Sequence, residues 1–223
     1  MFEYLKAKTP PPLKRAARRA ILDPIRHTLD GWRLGAALDA LRRAKSPGHE
    51  LVASLREAWG NGAFSADVSY IMQMARLAER TRGPILECGS GLTTLIAGIL
   101  AERRGQSVLS LEQDPEWLEV VQRAIDRYQV AGITVVHTPL RQFGDHVWYD
   151  LGDLELPRHT GAVLCDGPFV DDQWGPLQSQ WRYGLLPALA ARSVSFDAIL
   201  LDDATERFAA GVAERWTTEF DLD

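Results

Sequence analysis

Two groups of residues in this chain have types and spacings that can do chemistry. The first is a run with two glycines, Glu87-Cys88-Gly89-Ser90-Gly91-Leu92-Thr93-Thr94. Gly89 and Gly91 allow a sharp turn and a close approach of backbone to a ligand. A helix opening after them presents free backbone amides at its start. Glu112 follows 21 residues past Gly91. An acid at that distance is placed to accept hydrogen bonds from a ribose diol. The second group is acidic: Asp166 follows one apolar run, and Asp202 and Asp203 follow another. Carboxylates converging on one cleft repel one another unless a cation or a proton neutralises them.

The glycine run by itself leaves the ligand open. A dinucleotide fingerprint wants a third small residue for helix–strand packing, and this chain has Thr94 there. Glu87 stands two residues before the first glycine, where a pyrophosphate would repel it. The same carboxylate attracts a ligand carrying an amino group and a sulfonium charge. Gly-x-x-x-x-Gly-Lys is absent, which removes the P-loop nucleotidases.

The elements that must hold these residues follow from periodicity. Short apolar runs at 85–88, 107–111, 134–137, 162–165 and 198–201 read as strands. Helical stretches fall between them at about 93–103, 115–128 and 183–191. Strands alternating with helices of this length imply parallel βαβ units. The strands lack clean alternation, as expected when both sheet faces are covered. Upstream, helices are expected at about 13–29, 32–44, 50–59 and from Ser65 or Asp67 to 80. The expected fold is α/β, a Rossmann-like doubly wound and mainly parallel sheet; its order, 3-2-1-4-5, is what the resemblance of residues 86–117 to a known family implies. Residues 1–48 form a basic helical N-terminal extension in this reading, and 49–223 the catalytic domain.

The run from Leu86 to Thr94 resembles motif I of the class I S-adenosylmethionine-dependent methyltransferases. Ser110-Leu111-Glu112-Gln113-Asp114-Pro115-Glu116-Trp117 resembles the segment whose acid binds the ribose hydroxyls in that family. Leu164-Cys165-Asp166-Gly167-Pro168 and Leu200-Leu201-Asp202-Asp203-Ala204 resemble the strand ends of a small-molecule O-methyltransferase-like branch. The resemblance covers about residues 60–210. It implies S-adenosyl-L-methionine as cofactor, with Glu87, Gly89, Ser90 and Gly91 along its methionine part. It also implies Glu112 on the ribose and Thr138 beside the adenine. It further implies transfer of a methyl group to a small-molecule acceptor, with a hydroxyl oxygen as the methylated atom and Asp166 in a catalytic role.

Some enzymes of that branch carry a metal at the same strand ends. Their similarity suggests Mg²⁺ held by Asp166, Asp202 and Asp203, orienting an acceptor hydroxyl and lowering its pKa. The plain alternatives are that Asp202 caps the next helix and that Asp166 works as a metal-free base or cofactor contact. Arg182 has two readings, a partner for an anionic acceptor or for the nearby aspartates. Trp148, Tyr149, Trp174 and Trp181 lie in expected loops, where they would wall an acceptor pocket or cover a hydrophobic edge. His137, His146 and His159 have no metal-ligand spacing. The family's sheet adds two strands after the fifth. The residues after 201 have room for one short strand, so incomplete C-terminal strands are expected. An open edge invites pairing with another chain, and a homo-oligomer is one expected outcome.

Bulk composition sets the outer limits. The 223 residues are 46% hydrophobic and 25% charged, as in ordinary globular proteins. No apolar run is long enough to span a bilayer, and no signal peptide is visible, so a cytoplasmic location is the default expectation. Cys88 and Cys165 do not make a disulfide framework and are expected as buried thiols. The net charge of -5 conceals an asymmetry: residues 1–45 hold 11 Lys/Arg against 4 Asp/Glu. That basic segment could make peripheral contact with an anionic surface. The acidic remainder argues against a nucleic-acid substrate. Two other functions stay open: an NAD-dependent oxidoreductase, and a non-catalytic methyltransferase-like binding module.

Overall fold

A computed structural model describes residues 31–62, 64–203 and 207–220, with side chains left out at 178–180 and 207–210. The helix expected at 13–29, and most of the basic extension, lie outside the described residues.

Three amphipathic helices lead in: α1 (Trp32–Arg43), α2 (His49–Trp59) and α3 (Val68–Arg80). α1 buries Leu34, Leu38 and Leu41 along one stripe, each contributing roughly 2 kcal/mol of apolar burial. Arg103 donates to the Leu41 carbonyl at the end of α1, which also accepts from the Ala44 amide. α2 ends at Gly60, whose φ of 76° closes the helix in the left-handed conformation. Asp67 caps α3, its carboxylate accepting from the Tyr70 amide at 2.7 Å.

The sheet follows. β1 (Ile85–Cys88), β2 (Val108–Glu112) and β3 (Ile133–His137) are joined by α4 (Leu92–Glu102) and α5 (Pro115–Arg127). A hairpin of β4 (Leu140–Phe143) and β5 (His146–Tyr149) comes next. Then come β6 (His159–Thr160), β7 (Ala162–Cys165), the 3-10 segment Asp172–Gln180, α6 (Leu185–Ala191), β8 (Ser195–Phe196), β9 (Ile199–Leu201) and α7 (Arg207–Glu219). Five strands form one parallel sheet in the order β3-β2-β1-β7-β9. This is the expected 3-2-1-4-5 order, with β7 and β9 as its fourth and fifth strands. β6 and β8 form a separate two-stranded parallel pair. Among the described residues no strand follows β9.

Two apolar cores flank the sheet. Ile85, Val108 and Leu164 pack with α1–α5. Leu86, Cys88, Val163 and Cys165 pack with the hairpin, α6 and α7. α4 is buried all round from Leu92 to Ala101, because it lies between the sheet and the leading helices. The switch in strand order falls between β1 and β7, with β2 and β3 on one side and β9 on the other. That is where an open α/β sheet makes its ligand crevice. Among the described residues, no helix is long and apolar enough to cross a membrane.

Candidate functional site

The carboxyl ends of β1, β2, β7 and β9 bring Gly89, Ser90, Gly91, Glu112, Asp166, Asp202 and Asp203 to the same end of the sheet. The register pairs Cys88 with Leu111 on one side of β1 and with Cys165 on the other. The glycine turn and the two acidic strand ends therefore have to be neighbours. Gly89 adopts a φ of +93° and donates its amide to the Leu111 carbonyl at 2.9 Å. Ser90 then meets Glu112 twice, through its amide at 3.1 Å and its hydroxyl at 2.7 Å. The Asp114 amide donates to the other Glu112 oxygen at 2.9 Å. Glu112 is 2% exposed, so a ribose diol reaching this carboxylate has to compete with the Ser90 hydroxyl. Thr138 extends β3, donating its amide to the Glu112 carbonyl at 2.8 Å, and is buried.

Glu87 lies on the α4 face of β1. One of its oxygens accepts from Thr94 Oγ1 at 2.6 Å and from Ser110 Oγ at 2.7 Å. Thr94 Oγ1 in turn accepts from the Gly91 amide at 2.8 Å, which closes the start of α4. Glu87 Oε1 is buried with no hydrogen-bond partner. Burial pushes its ionisation up from 4.5 to about 7, while nearby hydroxyls of Ser110, Thr93 and Thr94 pull it back.

A small cleft opens over the start of α4. Ser90, Gly91 and Thr93 form its floor, Asp166 one side, and Asn61 and Ser65 of the α2–α3 loop another. Asn61 Oδ1 and Ser65 Oγ are buried there without partners. Each such group costs about 1–3 kcal/mol unless something occupies the cleft and bonds to it. Trp117 donates its indole N–H to the Ser90 carbonyl at 2.8 Å and meets Trp59 edge to face. Asn61 and Ser65 were not picked out from the sequence. Asn61 reads there as part of the Gly60-Asn61-Gly62 connection between helices, and Ser65 as one of two candidate starts of the next helix.

The aspartates correct one expectation. Asp166, Asp202 and Asp203 do converge, but the cation among them is Arg182. Its Nη2 lies 3.2 Å from Asp166 Oδ1 and 3.3 Å from Asp203 Oδ2, and donates to the Asp166 carbonyl at 2.6 Å. Its Nη1 donates to the Asp202 carbonyl. The three carboxylates therefore do not fit the expected Mg²⁺. Among the described residues there is no group of three metal-ligating side chains. Arg182 and Asp203 both have left-handed backbones, with φ of 69° and 55°, an unfavourable conformation for non-glycine residues that sharp packing has to hold. Asp202 is raised to about 8, first by burial and then by the neighbouring Asp166 carboxylate. Asp166 is also raised by burial, against the pull of Arg182.

The aromatics divide. Trp148 and Tyr149 were expected in a loop, yet they lie in β5 and are buried in the second core. They cannot wall a pocket. Phe64, Phe169 and Trp181 instead form an edge-to-face chain, with successive centroids 6.1 Å apart, running from the cleft toward Arg182. Phe64 keeps 43% of its surface exposed.

No family model matches this chain, and no curated protein does. Solved structures similar to it include several whose names describe methyltransferases. The METTL16 MTase domain is 15% identical over 77% of this chain and 71% of that one, with a TM-score of 0.48. The SAH-bound Podospora anserina methyltransferase PaMTH1 is 14% identical over 97% and 90%, with a TM-score of 0.49. The C-terminal domain of precorrin-6Y C5,15-methyltransferase from Rhodobacter capsulatus is 18% identical over 69% and 76%, with a TM-score of 0.42. At these identities and scores the likeness says nothing of substrate, and the crevice between β1 and β7 has to speak through its own residues.

Proposed function

We propose that this chain binds S-adenosyl-L-methionine in the crevice between β1 and β7 and transfers its methyl group to a small-molecule acceptor, at a hydroxyl oxygen. The carrying observation is the cleft above the start of α4, where buried polar atoms of Asn61 and Ser65 stand without partners. A ligand with an amino-acid end supplies the missing partners. Its carboxylate suits the amides opening α4 and the Ser65 hydroxyl. Its ammonium suits carboxylate and amide oxygens, and Glu87 Oε1 lies close beneath the same turn without a partner. Glu112, bridged to the turn through Ser90, takes the ribose in this reading, and Thr138 borders the adenine.

The cofactor supplies an electrophilic methyl group on a sulfonium. The chain's own residues hold the acceptor in line with it and exclude water, so most of the rate comes from proximity and orientation. Asp166 borders the cleft and would accept the hydrogen bond of the acceptor hydroxyl and take up its proton, the methyl group leaving the sulfonium sulfur for that oxygen. Phe64, Phe169 and Trp181, packed edge to face, offer apolar surface running from the cleft. The test is calorimetry of the full chain with S-adenosylhomocysteine and, separately, with NAD. Binding of the first and not the second is expected. Binding of NAD alone would replace this reading with the oxidoreductase one.

A further inference from the structure

We infer that Arg182 is the built-in counter-cation of the strand-end aspartates, standing where a divalent metal would otherwise sit, so that the site works without one. The inference rests on the proposed function only in that Asp166 borders the ligand cleft. The geometry is specific. One guanidinium nitrogen reaches Asp166 Oδ1, Asp203 Oδ2 and the Asp166 carbonyl, and the other reaches the Asp202 carbonyl. Asp166 Oδ1 and Asp203 Oδ2 are two of the hard carboxylate oxygens that Mg²⁺ would need at about 2.1 Å. A cation at that distance would share the space of the guanidinium and be repelled by it.

Arg182 is also held in place. It is 3% exposed. Its guanidinium carbon lies 5.2 Å from the Trp181 ring centre. Swinging it out would strand two carboxylates and remove a charge-assisted donor from two strand-end carbonyls. Arginine stays charged at every relevant pH, so its charge does not come and go. The guanidinium also ties the end of β7 to the end of β9, because its two nitrogens bond carbonyls of both. Asp166 thus presents a carboxylate whose orientation is fixed by the guanidinium.

The experiment uses Mn²⁺ as probe, followed by electron paramagnetic resonance on the full chain. The wild-type protein is expected to leave all Mn²⁺ free, and its affinity for S-adenosylhomocysteine to be the same in EDTA and in millimolar Mg²⁺. Arg182→Met removes the resident cation. It is expected to gain saturable Mn²⁺ binding and a melting temperature that rises with Mg²⁺, both lost again when Asp166→Asn is added. Wild-type protein that binds one Mn²⁺ per chain and loses it in Asp166→Asn would overturn the inference. So would a folded Arg182→Met that gains no metal. If Arg182→Met does not fold, the wild-type titration still decides. Failure of S-adenosylhomocysteine to bind would count against the proposed function and leave the Mn²⁺ result standing.

Discussion

Glu87 is a carboxylate placed where water does not reach it, with one oxygen held by two hydroxyls and the other unpartnered. With its ionisation raised to about 7, it is half protonated near neutrality. A ligand bearing an ammonium group binds better to the ionised form. Affinity for S-adenosylhomocysteine is therefore expected to rise as pH goes from about 6 to about 8. Glu87→Gln should flatten that dependence, and calorimetry across the range checks it; parallel curves for the two proteins would sink the assignment. Glu112 is tested by Glu112→Ala, which is expected to weaken the same binding by about 1–3 kcal/mol through loss of hydrogen bonds to a charged acceptor. An unchanged affinity would remove Glu112 from the ribose role.

At the scale of elements, the crevice is set by two turns pressed together. A Cβ at Gly167 would stand 2.5 Å from the Tyr149 hydroxyl and 2.7 Å from Gly89 Cα. A Cβ at Gly89 would meet Gly167 N at 2.8 Å, on a backbone already at φ +93°. Gly167→Ala forces the β1 and β7 turns apart and is expected to cost roughly 1–3 kcal/mol of stability. Gly48→Ala meets nothing within 4 Å and serves as the comparison. Denaturant midpoints for the two variants measure the difference, and equal midpoints would show that the turns yield without strain. Tyr149 packs its hydroxyl against the Gly167 turn, while its hairpin neighbour Trp148 packs against Gly184. From sequence alone, the stretch after the third strand carried too little pattern to announce a hairpin.

For the whole molecule, buried acids couple folding to pH. Glu87 rises from 4.5 to about 7 and Asp202 from 3.8 to about 8. Each holds its proton more tightly folded than unfolded. The stability this gives is complete below the unfolded values and is lost as pH climbs through the folded ones. For Glu87 alone the loss is on the order of 3 kcal/mol. The melting temperature is expected to fall from mildly acid to mildly alkaline pH, with a shallower fall for Glu87→Gln. A wild-type curve that is flat, or one that Glu87→Gln leaves unchanged, would contradict the burial argument.

The alternation of short apolar runs with helical stretches was enough to specify parallel βαβ units, because side-chain period and crossover rules leave few other arrangements, while the strand order came from the family resemblance. Gly89, Glu112, Asp166, Asp202 and Asp203 were legible as strand-end residues for the same reason. The tertiary structure alone decided what neutralises the aspartates. Arg182 lies 16 residues from Asp166 and 20 from Asp202 in the chain, and a charge pair formed across two loops has no periodicity to read. It also decided that the α2–α3 loop brings Asn61 and Ser65 over the glycine turn. That placement depends on how the leading helices pack on α4, which local sequence does not encode.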